Sequence, residues 1–276
     1  MGDPVVEGLA VREWGDAAQV GILLWPGLGS SGAYFEPLVP ALPWRSVAVD
    51  PPGSGGSAPL HPCTSERLVG LARDVIECHG CRAIVGHSLG AYVALGVAAD
   101  PPPGVDAAVL IDGGFLTAAD YVELGMPLTG GRAELLAWMK ANAVHFPDWD
   151  TAFREVAVII GSEVTPTVEA YVRDMLAEVD GEVRERAPRE LMADLLIGVV
   201  DHDARARAER LVIPTLLIAC GEPAERRATR EQAWTRVAQA SSLIDLRVVE
   251  GWRHNPILQD PERASTMIVD WLRAHL

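Results

Sequence analysis

The pentapeptide Gly86-His87-Ser88-Leu89-Gly90 constrains the fold of this chain more than any other feature. It follows the apolar run Ala83-Ile84-Val85 and precedes an alanine-rich stretch, Leu89 to Ala99, with helical character. The order is strand, sharp turn, helix. Small residues are needed because the turn is strained and the strand and helix pass close together, which pushes the serine oxygen out at the top of a sheet. A bare Gly-x-Ser-x-Gly arises by chance in many chains. With these flanks it predicts a strand–turn–helix unit inside an α/β architecture.

The flanking pattern extends that unit in both directions. Strands are predicted at Val5 to Val11, Val20 to Trp25, Ser46 to Val49, Ala83 to Val85, Ala107 to Ile111, Thr215 to Ala219 and Leu243 to Val249. Several are almost continuously apolar, as strands covered on both faces are. Helical patterns lie between them at Tyr34–Leu42, Ser65–Cys78, Leu89–Ala99 and Arg226–Gln239, and a last one spans Glu262–Leu276 behind Pro261. The expected fold class is α/β, a doubly covered, mostly parallel sheet beyond an N-terminal hairpin that turns at Trp14-Gly15-Asp16. Between Phe115 and Leu211 the pattern changes and helical segments dominate, at Arg132–Val144, Trp149–Ile160, Val168–Val179 and Arg189–Asp201, punctuated by Pro127, Pro147, Pro166 and Pro188. The expectation is a core formed by residues 1–114 and 211–276 and a helical lid of residues 115–210. Most of the lid's apolar side chains would fill its own interior, and a minority facing Ser88 would form an apolar pocket.

Composition limits what the chain can bind. The 276 residues are 49% hydrophobic, with 26 glycines and 20 prolines, which is a folded chain rich in turns. The formal net charge of -15 argues against a nucleic-acid or anionic-membrane surface. No apolar run reaches the roughly 18 residues of a membrane span. Met1-Gly2-Asp3-Pro4 does not open a signal-like segment, so a cytoplasmic protein is expected. Cys63, Cys78, Cys81 and Cys220 are scattered. Cys78-His79-Gly80-Cys81 has redox or metal spacing, but no second pair completes a zinc site, and a structural reading is preferred.

A serine hydroxyl is a poor nucleophile near neutral pH. It needs an imidazole to take its proton and a carboxylate to orient that imidazole. The histidines are His61, His79, His87, His145, His202, His254 and His275. His254 is favoured because Glu250-Gly251-Trp252-Arg253-His254-Asn255-Pro256 follows a strand and precedes the last helix, at the edge where ligands gather. His87 is expected to point away from the site and pack. Asp112, at the end of Ala107–Ile111, is the first choice for the carboxylate, with Glu225 and Glu222 behind Gly221 as alternatives. The developing oxyanion needs two N–H donors, assigned to the backbone of Leu89 and of Leu28, in the turn Trp25-Pro26-Gly27-Leu28-Gly29-Ser30-Ser31. That turn is not a phosphate loop, since no Gly-Lys-Ser/Thr follows. Gly53-Ser54-Gly55-Gly56 likewise lacks the glycine spacing of a dinucleotide fingerprint.

With these residues in place the chain resembles the α/β-hydrolase superfamily over nearly its whole length. Pro26-Gly27-Leu28-Gly29 is similar to the family's His-Gly-x-Gly oxyanion loop, with Pro26 where histidine is commoner. Asp50-Pro51-Pro52-Gly53-Ser54-Gly55-Gly56-Ser57 resembles its Asp-x-Pro-Gly-x-Gly-x-Ser loop, Gly86–Gly90 its nucleophile elbow, and Gly251-Trp252-Arg253-His254 its terminal Gly-x-x-His. The family's usual acid falls where this chain has Ala224, so the resemblance turns to Asp112, the place from which some members draw it. It implies a serine hydrolase of carboxylesterase or lactonase type, with no metal or organic cofactor; the family motifs say little about the substrate, and the helical lid with its aromatic content points to a small or medium apolar ester or lactone. A serine at position 88 sets it apart from family members with a nucleophilic aspartate, the epoxide hydrolases and haloalkane dehalogenases. Thioesters, amides or peptides, a C–C bond, or a non-hydrolytic ligand-binding or cyclase-like role on the same scaffold are the alternatives. A homodimer through the lid is left open.

Overall fold

The computed structural model describes residues 6, 8–200 and 203–276. Among these residues ten strands run in chain order as β1 (Val11–Trp14), β2 (Gly21–Trp25), β3 (Arg45–Val49), β4 (Cys81–His87), β5 (Ala107–Ile111), β6 (His145–Phe146), β7 (Leu176–Val179), β8 (Glu182–Glu185), β9 (Thr215–Cys220) and β10 (Ile244–Val249). The helices are α1 (Ser65–His79), α2 (Leu89–Ala99), α3 (Ala118–Glu123), α4 (Gly131–Ala141), α5 (Trp149–Ile160), α6 (Pro166–Met175), α7 (Arg189–Val200), α8 (Ala204–Ala208), α9 (Arg227–Ala238), α10 (Pro256–Gln259) and α11 (Pro261–Arg273). Among the described residues no helix is long and apolar enough to cross a membrane.

The main sheet has the order β1-β3-β2-β4-β5-β9-β10, parallel except for β1. Alternate side chains of its central strands enter two cores. Leu23, Trp25, Ile84 and Leu110 pack on the side covered by α1, α2 and α9. Ile22, Leu24, Val85 and Val109 pack on the other side, with α11 and the turn containing Tyr34, Phe35 and Leu38. Each fully buried aliphatic side chain contributes roughly 1.5–3 kcal/mol, so double coverage is what keeps these apolar strands in place. α1 shows the one-sided pattern expected of an outer helix: Leu68, Leu71, Val75 and Ile76 are buried, Thr64 caps its start and Gly80 (φ 60) ends it. α2 is buried on every face, which explains its lack of charge.

The expected N-terminal hairpin is corrected. Part of Val5 to Val11 lies outside the described residues, and the strand observed is Val11–Trp14, paired antiparallel with β3 and not with β2. The apolar β2 has β3 on one side and β4 on the other, so neither of its edges is free. β1, which carries Arg12 and Glu13, takes the sheet edge, where charged side chains reach solvent.

Residues 112–214, between β5 and β9, form an insertion dominated by helices. It is not helical throughout. Val168–Val179 splits into α6 and β7, and β7 forms a small antiparallel sheet with β8 and β6. Asp180 (φ 54) and Gly181 (φ 80) form the two-residue turn between β7 and β8. This turn chemistry demands positive φ and marks a hairpin, which outweighs the weak helical period of the residues before it. Leu135, Ala193 and Leu196 form a separate apolar cluster between α4 and α7. Asp201, the predicted end of α7, lies outside the described residues. The expected helix Tyr34–Leu42 is two short 3-10 turns, Gly32–Phe35 and Val39–Ala41, separated by the segment that holds Pro37, with Pro40 near the start of the second.

Candidate active site

Parallel strands gather their following loops at one edge of a sheet. The segments after β2, β4, β5, β9 and β10 meet there. Ser88 sits between β4 and α2 with φ 55 and ψ -115, a conformation that non-glycine residues rarely adopt. The glycines around it are a matter of space. A side chain at Gly86 would lie 2.1 Å from the Gly90 carbonyl oxygen, and one at Gly90 would lie 2.1 Å from that of Trp25. Strand and helix can cross at this distance only without those side chains, so the serine is raised at the tip.

His254 lies in the loop after β10. Its Nε2 accepts from the Ser88 hydroxyl at 2.9 Å, and its Nδ1 donates to Asp112 Oδ2 at 2.7 Å. The loop is anchored on both sides: the His87 ring donates to the His254 carbonyl at 2.7 Å, and the Gln259 side chain bridges Arg253 N and Gly251 O. Asp112 follows β5 with φ 46, and its side chain is 1% exposed. The other carboxylate oxygen accepts from Cys220 N at 2.9 Å and from Arg230 of α9. Burial pushes the Asp112 carboxyl up. The hydrogen bond and charge of His254, the charge of Arg230 and the Cys220 N–H outweigh it and hold the group below its ordinary value. It is therefore a carboxylate at working pH.

Leu28 and Leu89 line the same cavity as Ser88 and His254. Leu89 opens α2, so its N–H has no intrahelical acceptor. The Leu28 N–H donates to no group among the described residues. The cavity encloses about 450 Å³ and is walled largely by apolar groups, including Leu116, Met126, Trp138, Met139 and Leu196. A larger groove of about 960 Å³ between β10 and α11 contains none of these residues.

A sequence profile described as the alpha/beta hydrolase family matches residues 22–265, most of the chain. This chain belongs to the α/β-hydrolase family. Its curated relatives include the protein named "Putative carbamate hydrolase RutD" of Klebsiella pneumoniae, 27% identical over 270 residues and covering 92% of each chain. A Variovorax paradoxus protein of the same name is 34% identical over 110 residues, 36% of this chain and 40% of that protein. The fold of this α/β hydrolase is shared with the crystal structure of E-2-(acetamidomethylene)succinate hydrolase (TM-score 0.76, 22% identity, 96% of this chain and 95% of that one). It is also shared with a Mycobacterium tuberculosis esterase (TM-score 0.72, 20% identity, 96% and 89%).

The remaining expected residues of the hydrolase are placed as follows. Glu222 is half-buried on the cavity wall and Glu225 is exposed in the turn before α9; neither hydrogen-bonds His254. Among the other histidines, His61 and His145 are exposed, His79 pairs with Glu13 and His275 stacks on Trp271; His202 lies outside the described residues. Cys78 is exposed on α1 and Cys81 is buried at the start of β4, and the two are not bridged. Three contacts escaped the sequence reading because they join distant segments through polar groups with no periodicity. They are Arg230 on Asp112, His87 on the His254 carbonyl, and Ser31, at the end of the turn after β2, on Asp174 of α6. Asp50, in the loop after β3, accepts from Gly32 N and Gly56 N and so ties the turns after β2 and β3 together.

His87 does pack, stacked on Tyr34 with ring centres 4.2 Å apart. Burial, then the neighbouring His254, pushes its pKa down from 6.5 to about 3. The sign follows. Below pH 6.5 the unfolded chain takes up a proton that the folded chain refuses, so stability falls as pH drops toward 3, by about 1.4 kcal/mol per unit. His87→Gln is expected to be less stable than wild type at pH 7, yet to lose on the order of 2 kcal/mol less between pH 6.5 and pH 4.5. Urea melts of both proteins at the two pH values check this; equal losses would acquit His87.

Proposed function

We propose that this protein is a serine hydrolase that cleaves carboxylic esters and lactones of apolar small molecules through an acyl-enzyme on Ser88. The reading is carried by one observation: the unbroken hydrogen-bond chain Ser88 Oγ–His254–Asp112 opening into an apolar cavity. In this mechanism Ser88 Oγ attacks the carbonyl carbon as its proton passes to His254 Nε2. The N–H groups of Leu28 and Leu89 receive the developing oxyanion, each such donor being worth about 3 kcal/mol in the transition state. His254 then gives its proton to the leaving alkoxide. Water, deprotonated by the same nitrogen, attacks the acyl carbon, and Ser88 recovers its proton as the acid departs. Asp112 holds the imidazole in the tautomer that leaves Nε2 free to accept and balances the imidazolium that forms.

The substrate class rests on the wall. Leu28, Leu116, Met126 and Leu196 favour an apolar acyl or alkyl group, and about 450 Å³ suits a small or medium-sized one. The insertion is proposed to act as the cap that closes over this group. Carbamates are a second reading, favoured by the name of the Klebsiella relative and by identical demands on serine, imidazole and oxyanion donors.

Fluorophosphonate labelling followed by peptide mapping tests the nucleophile. A panel of p-nitrophenyl esters, γ-lactones, acyl thioesters, phenyl carbamates and N-terminal proline amides tests the bond. We expect label on Ser88 and the highest kcat/KM on apolar esters. Higher kcat/KM on carbamates or amides would reassign the bond. Absence of labelling, with tight ligand binding and no turnover, would leave a binding protein in place of the enzyme.

A further inference from the structure

We propose that Arg230 is a positioning residue for the reaction: its guanidinium locks the buried Asp112 carboxylate in the orientation that reaches His254 and balances its charge. The inference rests on the Ser88–His254–Asp112 reading and adds a fourth side chain to it.

The geometry is specific. Arg230 is 9% exposed and comes from α9, an element apart from those that carry the other three side chains. One nitrogen, Nη2, donates to Asp112 Oδ1, and the other, Nη1, donates to the Glu222 carbonyl at 2.8 Å. The fork therefore joins the turn after β5 to the turn after β9. Asp112 Oδ1 is held by Arg230 and Cys220 N, which leaves Oδ2 for His254. The guanidinium is itself held against Phe115 and Trp234, whose ring centres lie 6.0 and 5.8 Å from its carbon.

A positioning role explains why such a cation is buried. Taking a guanidinium out of water costs several kcal/mol unless a partner compensates. Asp112 is that partner, and its carboxylate would otherwise be buried against only a half-exposed imidazole and one amide. The position where the family's acid is usual holds Ala224, and Arg230 lies one helical turn and a half further on, aimed at an acid drawn from β5.

The effect on pH dependence has a definite sign. Each proton added to the His254–Asp112 pair adds positive charge beside Arg230, so the arginine opposes the protonation that disables the base. Other groups facing the pair are Cys220 at the end of β9, Tyr34 before β3, His87 at the end of β4 and Tyr121 of α3, with Glu222 and the exposed Arg226 on the cavity wall. None of the buried ones supplies a positive charge in place of Arg230: His87 is neutral at working pH, with its pKa at about 3, and the thiol and phenols are neutral acids. The charges of the exposed Arg226 and the half-buried Glu222 are opposite in sign and screened by solvent.

The test compares Arg230→Gln, which removes the charge, with Arg230→Lys, which keeps it. For the glutamine variant the acid limb of the kcat/KM–pH profile is expected to move up by about one unit, with a fall of roughly ten-fold or more at neutral pH. The lysine variant is expected to keep the wild-type acid limb while losing a few-fold in kcat, because its single point of donation cannot hold both turns. Wild-type profile and rate in the glutamine variant would overturn the proposal. So would equal losses in both variants with an unmoved limb, since that is what mere destabilisation produces. Should the glutamine variant not fold, Arg230→Ala with ethylguanidinium decides: activity must rise with the added cation, and a rise in melting temperature without activity counts against the proposal. Fluorophosphonate labelling of wild-type Ser88 separates the two readings, because failure there removes the serine mechanism, whereas failure here leaves it standing without Arg230.

Discussion

Ser88→Ala is expected to lower ester kcat/KM by about 10⁴-fold or more while leaving the fold intact. The two halves of the expectation have separate origins. On the proposed mechanism the loss follows from removing the hydroxyl that donates to His254 Nε2 at 2.9 Å on the cavity wall. The intact fold follows from what the hydroxyl does not do. Among the described residues Ser88 Oγ hydrogen-bonds His254 alone, whose ring is 53% exposed and therefore open to solvent once the hydroxyl is gone. Backbone strain at φ 55 is the same for alanine, and the Ser88 N–H keeps its bond to the Ile111 carbonyl at 2.9 Å. The melting temperature should therefore shift by no more than a surface substitution would cause. Residual turnover above the uncatalysed rate would come from the N–H groups of Leu28 and Leu89 and from binding. Steady-state rates on the best p-nitrophenyl ester and a thermal melt decide the matter. An alanine variant as active as wild type would remove Ser88 from the mechanism.

The parts legible in the sequence are those governed by local rules. Gly86-x-Ser88-x-Gly90 announced the elbow because the backbone crossing tolerates no side chain at either glycine. The parallel strands announced themselves by unbroken apolar runs, which only double coverage explains. Strand pairing was less legible, because β1 and β2 are adjacent in sequence and nothing local says that β3 intervenes. The small sheet of β6, β7 and β8 was hidden behind helix-forming residues, although Asp180-Gly181 carried the hairpin signal. At the site the sequence could order the carboxylates Asp112, Glu225 and Glu222 only by position relative to strand ends and by the alanine at 224, where the family's acid is usual. Which of them meets His254 depends on how the turns after β5 and β9 are tied together, and the tie is Arg230, a residue with no motif to mark it.

Asp112→Asn is expected to reduce kcat by about 10³- to 10⁴-fold, whereas Glu222→Gln and Glu225→Gln should stay within a few-fold of wild type. The asymmetry comes from the proton on the ring. The Asp112 carboxylate accepts the Nδ1 proton of His254 and so leaves Nε2 able to accept from Ser88. In the asparagine variant the amide oxygen is drawn toward Cys220 N and Arg230, both donors, which turns the NH₂ group to the imidazole. Nδ1 must then accept, the proton moves to Nε2, and the base is occupied before the reaction begins. The variant also leaves the Arg230 charge buried without its counter-ion, which should lower stability by about 3–5 kcal/mol. Rates must therefore be taken well below its melting temperature and normalised to folded protein. The pH profile distinguishes the chemical loss from the structural one: a wrong tautomer is not repaired at any pH, so the asparagine variant should stay depressed across the range in which wild type is on its plateau. Collapse of kcat in Glu225→Gln or Glu222→Gln, with Asp112→Asn left active, would move the carboxylate role to the turn after β9. The hydrogen-bond chain would then be a resting arrangement that opens before the chemistry.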